Sequence, residues 1–212
     1  GKGIKRLQEH GVEVIVSVLE KEARELNKRF FTFHEKKRPY VILKWAQSKD
    51  GYIFPDAKIA QKGLPFWISN SYSLQRVHQW RAEEASILVG KNTVQQDNPK
   101  LNVRDFSGNS ILRIAIDRKL ELSHSMNFFD GSSDTIIYNE SKDEIIGQLS
   151  FVKLDFSEDI IAQIMQDLYE KEIQSLIVEG GAYTLNSFIG SGCWDEARVF
   201  RGSQYFEKGL KA

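Results

Sequence analysis

Short apolar runs alternate with segments of helical period along most of this chain. That alternation points to an α/β domain with a mostly parallel central sheet flanked by helices. Two further observations agree. The run SLIVE (175–179) leads directly through two glycines into GGAYTLNSFI, a strand-to-helix turn. No internal repeat, low-complexity tract or coiled-coil pattern competes with this reading.

The elements follow in order. Residues 12–18, VEVIVSV, are β-branched and alternating, which predicts a strand. Leu19, Ala23, Leu26 and Phe30 then keep helical spacing, and Glu20 with Arg24 and Glu25 with Arg29 add i,i+4 pairs in the favourable order. Residues 1–38 hold ten Lys/Arg against six Asp/Glu. One strand and one amphipathic helix close no core, so this stretch is expected to be the tail of an upstream domain or an appendage, with a boundary at EKKRP (35–39). From Pro39, PYVILKWAQS reads as a buried strand and KDG as a turn. A helix should start near Asn70 or Ser71, either able to cap it. SILVG, ILRIAID, TIIYN, FVKLD, SLIVE and DEARVF supply further strands. Residues 160–169 form a helix, and 130–134 an exposed loop.

Composition excludes several classes. Lys+Arg and Asp+Glu are both 29, so the chain has no charge surplus for general nucleic-acid or membrane-surface binding. No apolar run approaches the roughly 20 residues of a membrane span, and no signal peptide is recognisable. The single Cys193 fits a reducing, cytoplasmic compartment. His10, His34, His78 and His124 are scattered without metal-ligand spacing, which predicts no metal site.

Four features could carry chemistry. Leu74, Val77 and Arg81 fall at i, i+3 and i+7, so Arg81 shares an apolar helix face. A buried arginine is costly unless paired, so it meets either an internal carboxylate or a cleft that receives an anion. Lys44, inside an apolar strand, needs a partner or a cleft, or else guards a sheet edge. KNTVQQDNPKLNVR, with Thr93, Asp97 and Arg104, is too polar for core; it is an ordinary solvated loop or a site loop over a rigid sheet. Glu179 closes a strand just before Gly180 and Gly181, where a helix N-terminus and Thr184 suit a phosphate; the glycines equally suit a tight turn. Trp67 is a core aromatic or a platform for a ring.

In order and spacing, RPYVILKWAQSKDG, FWISN, WRAEEASILVGKNTVQQDNPKLNVR, RIAID and IVEGGAYTLNSF resemble successive motifs of the reductase domain of the bifunctional riboflavin biosynthesis deaminase/reductase (RibD type) over residues 39–187. Residues 1–30 resemble the closing strand and helix of that family's deaminase domain. The resemblance implies a dihydrofolate-reductase-like fold over 39–212, with a deaminase remnant over 1–38. The family's reductase domain carries further strands beyond Ala212, so incompleteness at that end is expected.

The implied activity is NADPH-dependent reduction of 5-amino-6-(5-phosphoribosylamino)uracil to its ribitylamino counterpart. Arg81, Leu101, Arg104 and Glu179 would contact substrate. Ala46, Trp67, Thr93, Asp97, Arg118 and the stretch Gly181, Ala182, Tyr183, Thr184, Leu185, Asn186 and Ser187 would contact NADPH. Lys44, Asp97 and Glu179 are candidates for stabilising the imine or delivering protons. Pro65 stands where the family usually offers a small polar contact. The implied partners are the deaminase domain of the same full-length protein and a second copy in a homodimer. Zinc belongs to the deaminase part, whose H-x-E and P-C-x-x-C segments are missing here. The alternatives are a reductase of the same fold acting on a folate or pterin-like ring, and a non-catalytic ligand-binding domain that holds a deaminase partner. Two arginines bracketing one loop favour a phosphorylated substrate over folate.

Overall fold

The computed structural model describes residues 2–56, 68, 70–103 and 110–211. Three helices open the chain: α1 (Lys2–Glu9), α2 (Glu20–Leu26) and α3 (Lys28–Lys36). The strands are β1 (Tyr40–Gln47), β2 (Tyr52–Pro55), β3 (Ser86–Gly90), β4 (Leu112–Ile116), β5 (Thr135–Asn139), β6 (Glu144–Ile146), β7 (Leu149–Lys153), β8 (Ser175–Val178), β9 (Glu196–Arg201) and β10 (Gly209–Lys211). Between them lie α4 (Ser71–Glu83), α5 (Lys91–Asp97), α6 (Ile160–Glu170) and α7 (Ala182–Ser191).

Eight strands form one sheet in the order β6-β7-β5-β4-β3-β8-β1-β9, parallel except for β6 against β7. β2 and β10 form a separate antiparallel ribbon. The apolar runs are buried on both sides, as a parallel sheet requires. Leu43, Leu88, Ile114 and Val178 pack beneath Ile164, Leu168, Leu185 and Phe188 of α6 and α7. On the opposite face Ile87, Val89 and Ala115 meet Val94 of α5, while Ile42 and Ile177 meet Trp80 of α4. Neighbouring strands β3 and β8 therefore send their following helices to opposite faces. Open α/β sheets bind ligands at such a reversal of winding.

Several expectations change. VEVIVSV is not a strand: residues 12–17 form no ladder, and Ile15 and Val18 are 74% and 69% exposed. A strand needs a neighbour to satisfy its backbone, and none of the described elements supplies one. The following helix splits at Asn27 into α2 and α3, leaving Leu26 82% exposed. Arg29 turns from Glu25 towards Glu84, its Nε donating at 2.7 Å. KNTVQQD, read as loop, folds as α5 because Val94 anchors one side of it in the core. β7 lies two residues earlier than FVKLD. β2, β6 and β10 are too short for periodicity to reveal them.

Candidate active site

Arg81 sits on the third turn of α4, a helix capped as its sequence predicts: Asn70 Oδ1 accepts the Ser73 N–H at 3.0 Å. Its guanidinium grips Glu179 at two points, Nε to Oε1 at 3.2 Å and Nη2 to Oε2 at 2.8 Å. Both side chains are nearly buried, at 12% and 11% exposure. The two readings of Arg81 are thus compatible: it meets an internal carboxylate, and that carboxylate stands at the winding reversal.

Lys44 joins the cluster, its Nζ 3.4 Å from Glu179 Oε2. β1 is flanked by β8 and β9, so Lys44 guards no sheet edge. The register pairs Leu43 with Val178 and Lys44 with Arg198. Arg198 on β9, Lys44 on β1 and Glu179, one residue past the end of β8, consequently lie abreast. Arg198 packs over the Trp80 ring at 4.8 Å, and Trp80 stacks on Phe200 at 5.2 Å. Burial opposes ionisation of Glu179, but the charges of Lys44 and Arg81 outweigh it and bring its pKa to about 2. Its two cations thus hold Glu179 in the ionised form.

The glycine turn is sterically required. A Cβ on Gly180 would lie 2.5 Å from Thr184 Cβ, and one on Gly90 would lie 2.7 Å from Thr184 Oγ1. Thr184 is thus wedged between the ends of β8 and β3, and its side chain is buried. Gly181 is exposed, and Thr93 Oγ1 is the nearest atom its Cβ would meet, at 3.9 Å. No side chain caps α7 at Gly181, so its first backbone N–H groups have no partner within the helix. Tyr183 and Asn186 project outward, Ala182 and Leu185 are buried, and Ser187 Oγ donates to Tyr183 O at 2.9 Å.

The remaining candidates are more dispersed. Ala46 lies half-buried on β1. Leu101, in a left-handed conformation (φ 50°), puts its side chain in the core beside Val94 and Phe128. Asp97 ends α5, where partial loss of water raises its pKa. Arg118 follows β4, bonded to Glu140 at 2.5 Å and lying over Phe156, away from the Arg81 cluster. Trp67, Arg104 and Pro65 lie outside the described residues. Among the described residues no group of metal-ligating side chains gathers, and no helix is long and apolar enough to cross a membrane.

Sequence reasoning missed Glu84, whose side chain is fully buried between Arg29 of α3 and Arg198 of β9. It also missed Arg113, a fully buried cation on β4. The signal existed, since RIAID holds a charge inside an apolar strand as VILKW does.

The chain is similar in sequence and fold to known proteins. The RibD C-terminal domain family matches residues 39–204. The riboflavin biosynthesis protein RibD of Aquifex aeolicus is 36% identical over 99% of this chain and 59% of its own length. That of Bacillus amyloliquefaciens is 34% identical over 94% and 55%. Among solved structures, a Thermotoga maritima diaminohydroxyphosphoribosylaminopyrimidine deaminase/5-amino-6-(5-phosphoribosylamino)uracil reductase superposes with a TM-score of 0.87 at 34% identity, covering 100% of this chain and 58% of that one. The chain thus spans under two thirds of the length of these relatives.

Proposed function

Because the chain belongs to the RibD C-terminal domain family, a family of riboflavin-biosynthesis reductases with a dihydrofolate-reductase-like fold, we propose that it reduces 5-amino-6-(5-phosphoribosylamino)uracil with NADPH. The observation that carries this reading is the Arg81–Glu179–Lys44 cluster at the winding reversal of the sheet.

In this proposal Arg81 and Lys44 hold the polar end of the substrate, and Glu179 fixes both cations. Two of the five guanidinium N–H groups are spent on Glu179, which leaves three for a phosphate or a uracil carbonyl. Leu101 and Arg104 would complete the substrate side. With Glu179 ionised, the Lys44 ammonium is the cluster's donor towards an imine nitrogen. The cofactor side would comprise Ala46, Trp67, Thr93, Asp97, Arg118 and the first turns of α7. The uncapped N-terminus of α7, with no side chain at Gly181, fits a dinucleotide phosphate. NADPH, when bound, supplies the hydride, while the protein supplies position and electrostatics. Residues 1–38 are assigned to the end of a deaminase domain in the same full-length protein, a cytoplasmic homodimer in this reading.

The test is NADPH oxidation with the phosphoribosylaminouracil, its dephosphorylated form and dihydrofolate in parallel. Turnover of the first alone is expected. Turnover of dihydrofolate instead would favour the folate-type alternative, and intact NADPH binding without any turnover would favour a silent ligand-binding domain.

A further inference from the structure

The segment 98–102 crosses the α4/α5 face of the sheet, and its alternate carbonyls are each held by a side chain from a different element. Asn98 O accepts from Asn127 Nδ2 at 2.9 Å, and Asn98 Oδ1 accepts the Asn127 backbone N–H at 2.8 Å. Lys100 O accepts from Arg113 Nη1 at 3.3 Å. Asn102 O lies 3.1 Å from His78 Nδ1. A carbonyl can only accept, so His78 carries its proton on Nδ1.

Arg113 is the centre of this arrangement. Its side chain is fully buried, and it also reaches Asp130 Oδ1 at 3.0 Å, Asn127 O at 3.4 Å and Ser133 O at 3.2 Å. One guanidinium thus ties the segment to both the 127 turn and the 130–133 loop. The backbone needs such restraint: Asn98 (φ 40°) and Leu101 (φ 50°) are left-handed non-glycine residues, which persist only when their surroundings over-determine them.

The placement gives the restraint a use. His78 precedes Arg81 by three residues, so the two are neighbours along one face of α4. The segment therefore meets α4 one turn from the guanidinium that grips Glu179. At its other end it continues from α5, whose Thr93 approaches Gly181. We propose that Asn127, Arg113 and His78 are positioning residues, a three-point clamp that fixes segment 98–102 against Arg81 and so sets substrate affinity. This rests on the functional reading above. The clamp acts through the segment's backbone, which explains why it draws on three separate elements.

Asn127→Ala and Arg113→Lys test it; Asn127 is half-buried beside a surface turn, so its loss leaves the core intact. Hydrogen exchange of the amides of Asn98 and of residues 100–103 in the ligand-free protein should speed up about tenfold in Asn127→Ala. The substrate KM should rise about tenfold, with kcat and NADPH affinity within about twofold of the parent. Arg113→Lys, which keeps the charge but loses the fork that joins Lys100 O to Asn127 O, Asp130 and Ser133 O, should speed exchange and raise KM at least as much as Asn127→Ala. Unchanged exchange in both variants would overturn the clamp, as would faster exchange with unchanged KM. A parent protein that binds NADPH but turns over no phosphoribosylaminouracil would sink the functional reading and the substrate half of this inference together. An active parent with unaltered KM in both variants would sink the inference alone.

Discussion

Arg81 and Glu179, 98 residues apart in the chain, form a two-point ion pair with contacts of 3.2 and 2.8 Å in a nearly dry setting. Removing one partner from such a pair strands the other charge. Glu179→Ala is therefore expected to destabilise the fold by about 3 kcal/mol. The double variant Arg81→Met/Glu179→Leu should cost less than the two single changes together. Denaturant unfolding of Arg81→Met, Glu179→Leu and the double variant, with Glu179→Ala alongside, measures this; strict additivity would mean that the pair is not coupled.

The same carboxylate makes stability pH-dependent, with a definite sign. The Glu179 pKa falls from 4.5 to about 2 on folding, so its contribution is complete above pH 4.5 and is lost as pH falls towards 2. Glu196, beside Arg198 and Lys28, and Asp130, which accepts the Ser132 hydroxyl and N–H and then Arg113, are likewise lowered to about 2 against the cost of desolvation and add to the same limb. Glu179→Gln should flatten the loss of stability between pH 4.5 and 2. Parallel acid limbs for parent and variant would contradict the assignment.

Thr184 couples two glycines in different ways. On Gly90 an added methyl meets only the hydroxyl oxygen closely, whereas on Gly180 it meets the Thr184 Cβ itself. Gly90→Ala should cost about 1–3 kcal/mol and be rescued by Thr184→Ala. Gly180→Ala should be damaging and not rescued, because alanine keeps the Cβ. Melting temperatures of the four proteins decide it.

Asp97 is placed against stability. Partial desolvation raises its pKa, and its charge sits at the C-terminal end of α5, where the helix dipole disfavours an anion. An anion opposed by the dipole of its own helix costs stability, so Asp97→Asn should stabilise the protein by about 0.5 kcal/mol near neutral pH. If Asp97 serves the cofactor as proposed, NADPH should bind about tenfold more weakly in the same variant. Titration and thermal unfolding of one preparation give both signs.

How much could be read from the chain depended on whether a residue broke a local pattern. Arg81 interrupts an apolar helix stripe and Lys44 an apolar strand, and both mark the cluster. Glu179 was legible from its place at a strand end. Arg113 broke the same kind of pattern, but its significance lies in carbonyls at 100, 127 and 133, which no side-chain periodicity encodes. VEVIVSV failed for the opposite reason: its alternation is genuine, but alternation describes a strand's faces and says nothing of a neighbour to bond with. α5 was hidden because only Val94 of its seven residues is buried.

In the proposed function Arg81 belongs to the substrate side of a reductase site. The direct measurement is steady-state NADPH oxidation by the parent and Arg81→Lys at saturating NADPH, with NADPH affinity titrated alongside. Lysine keeps the charge but loses the two-point geometry. The substrate KM should rise by about tenfold or more with NADPH affinity nearly unchanged. Equal KM values for the two proteins, with the loss confined to folding stability, would contradict it.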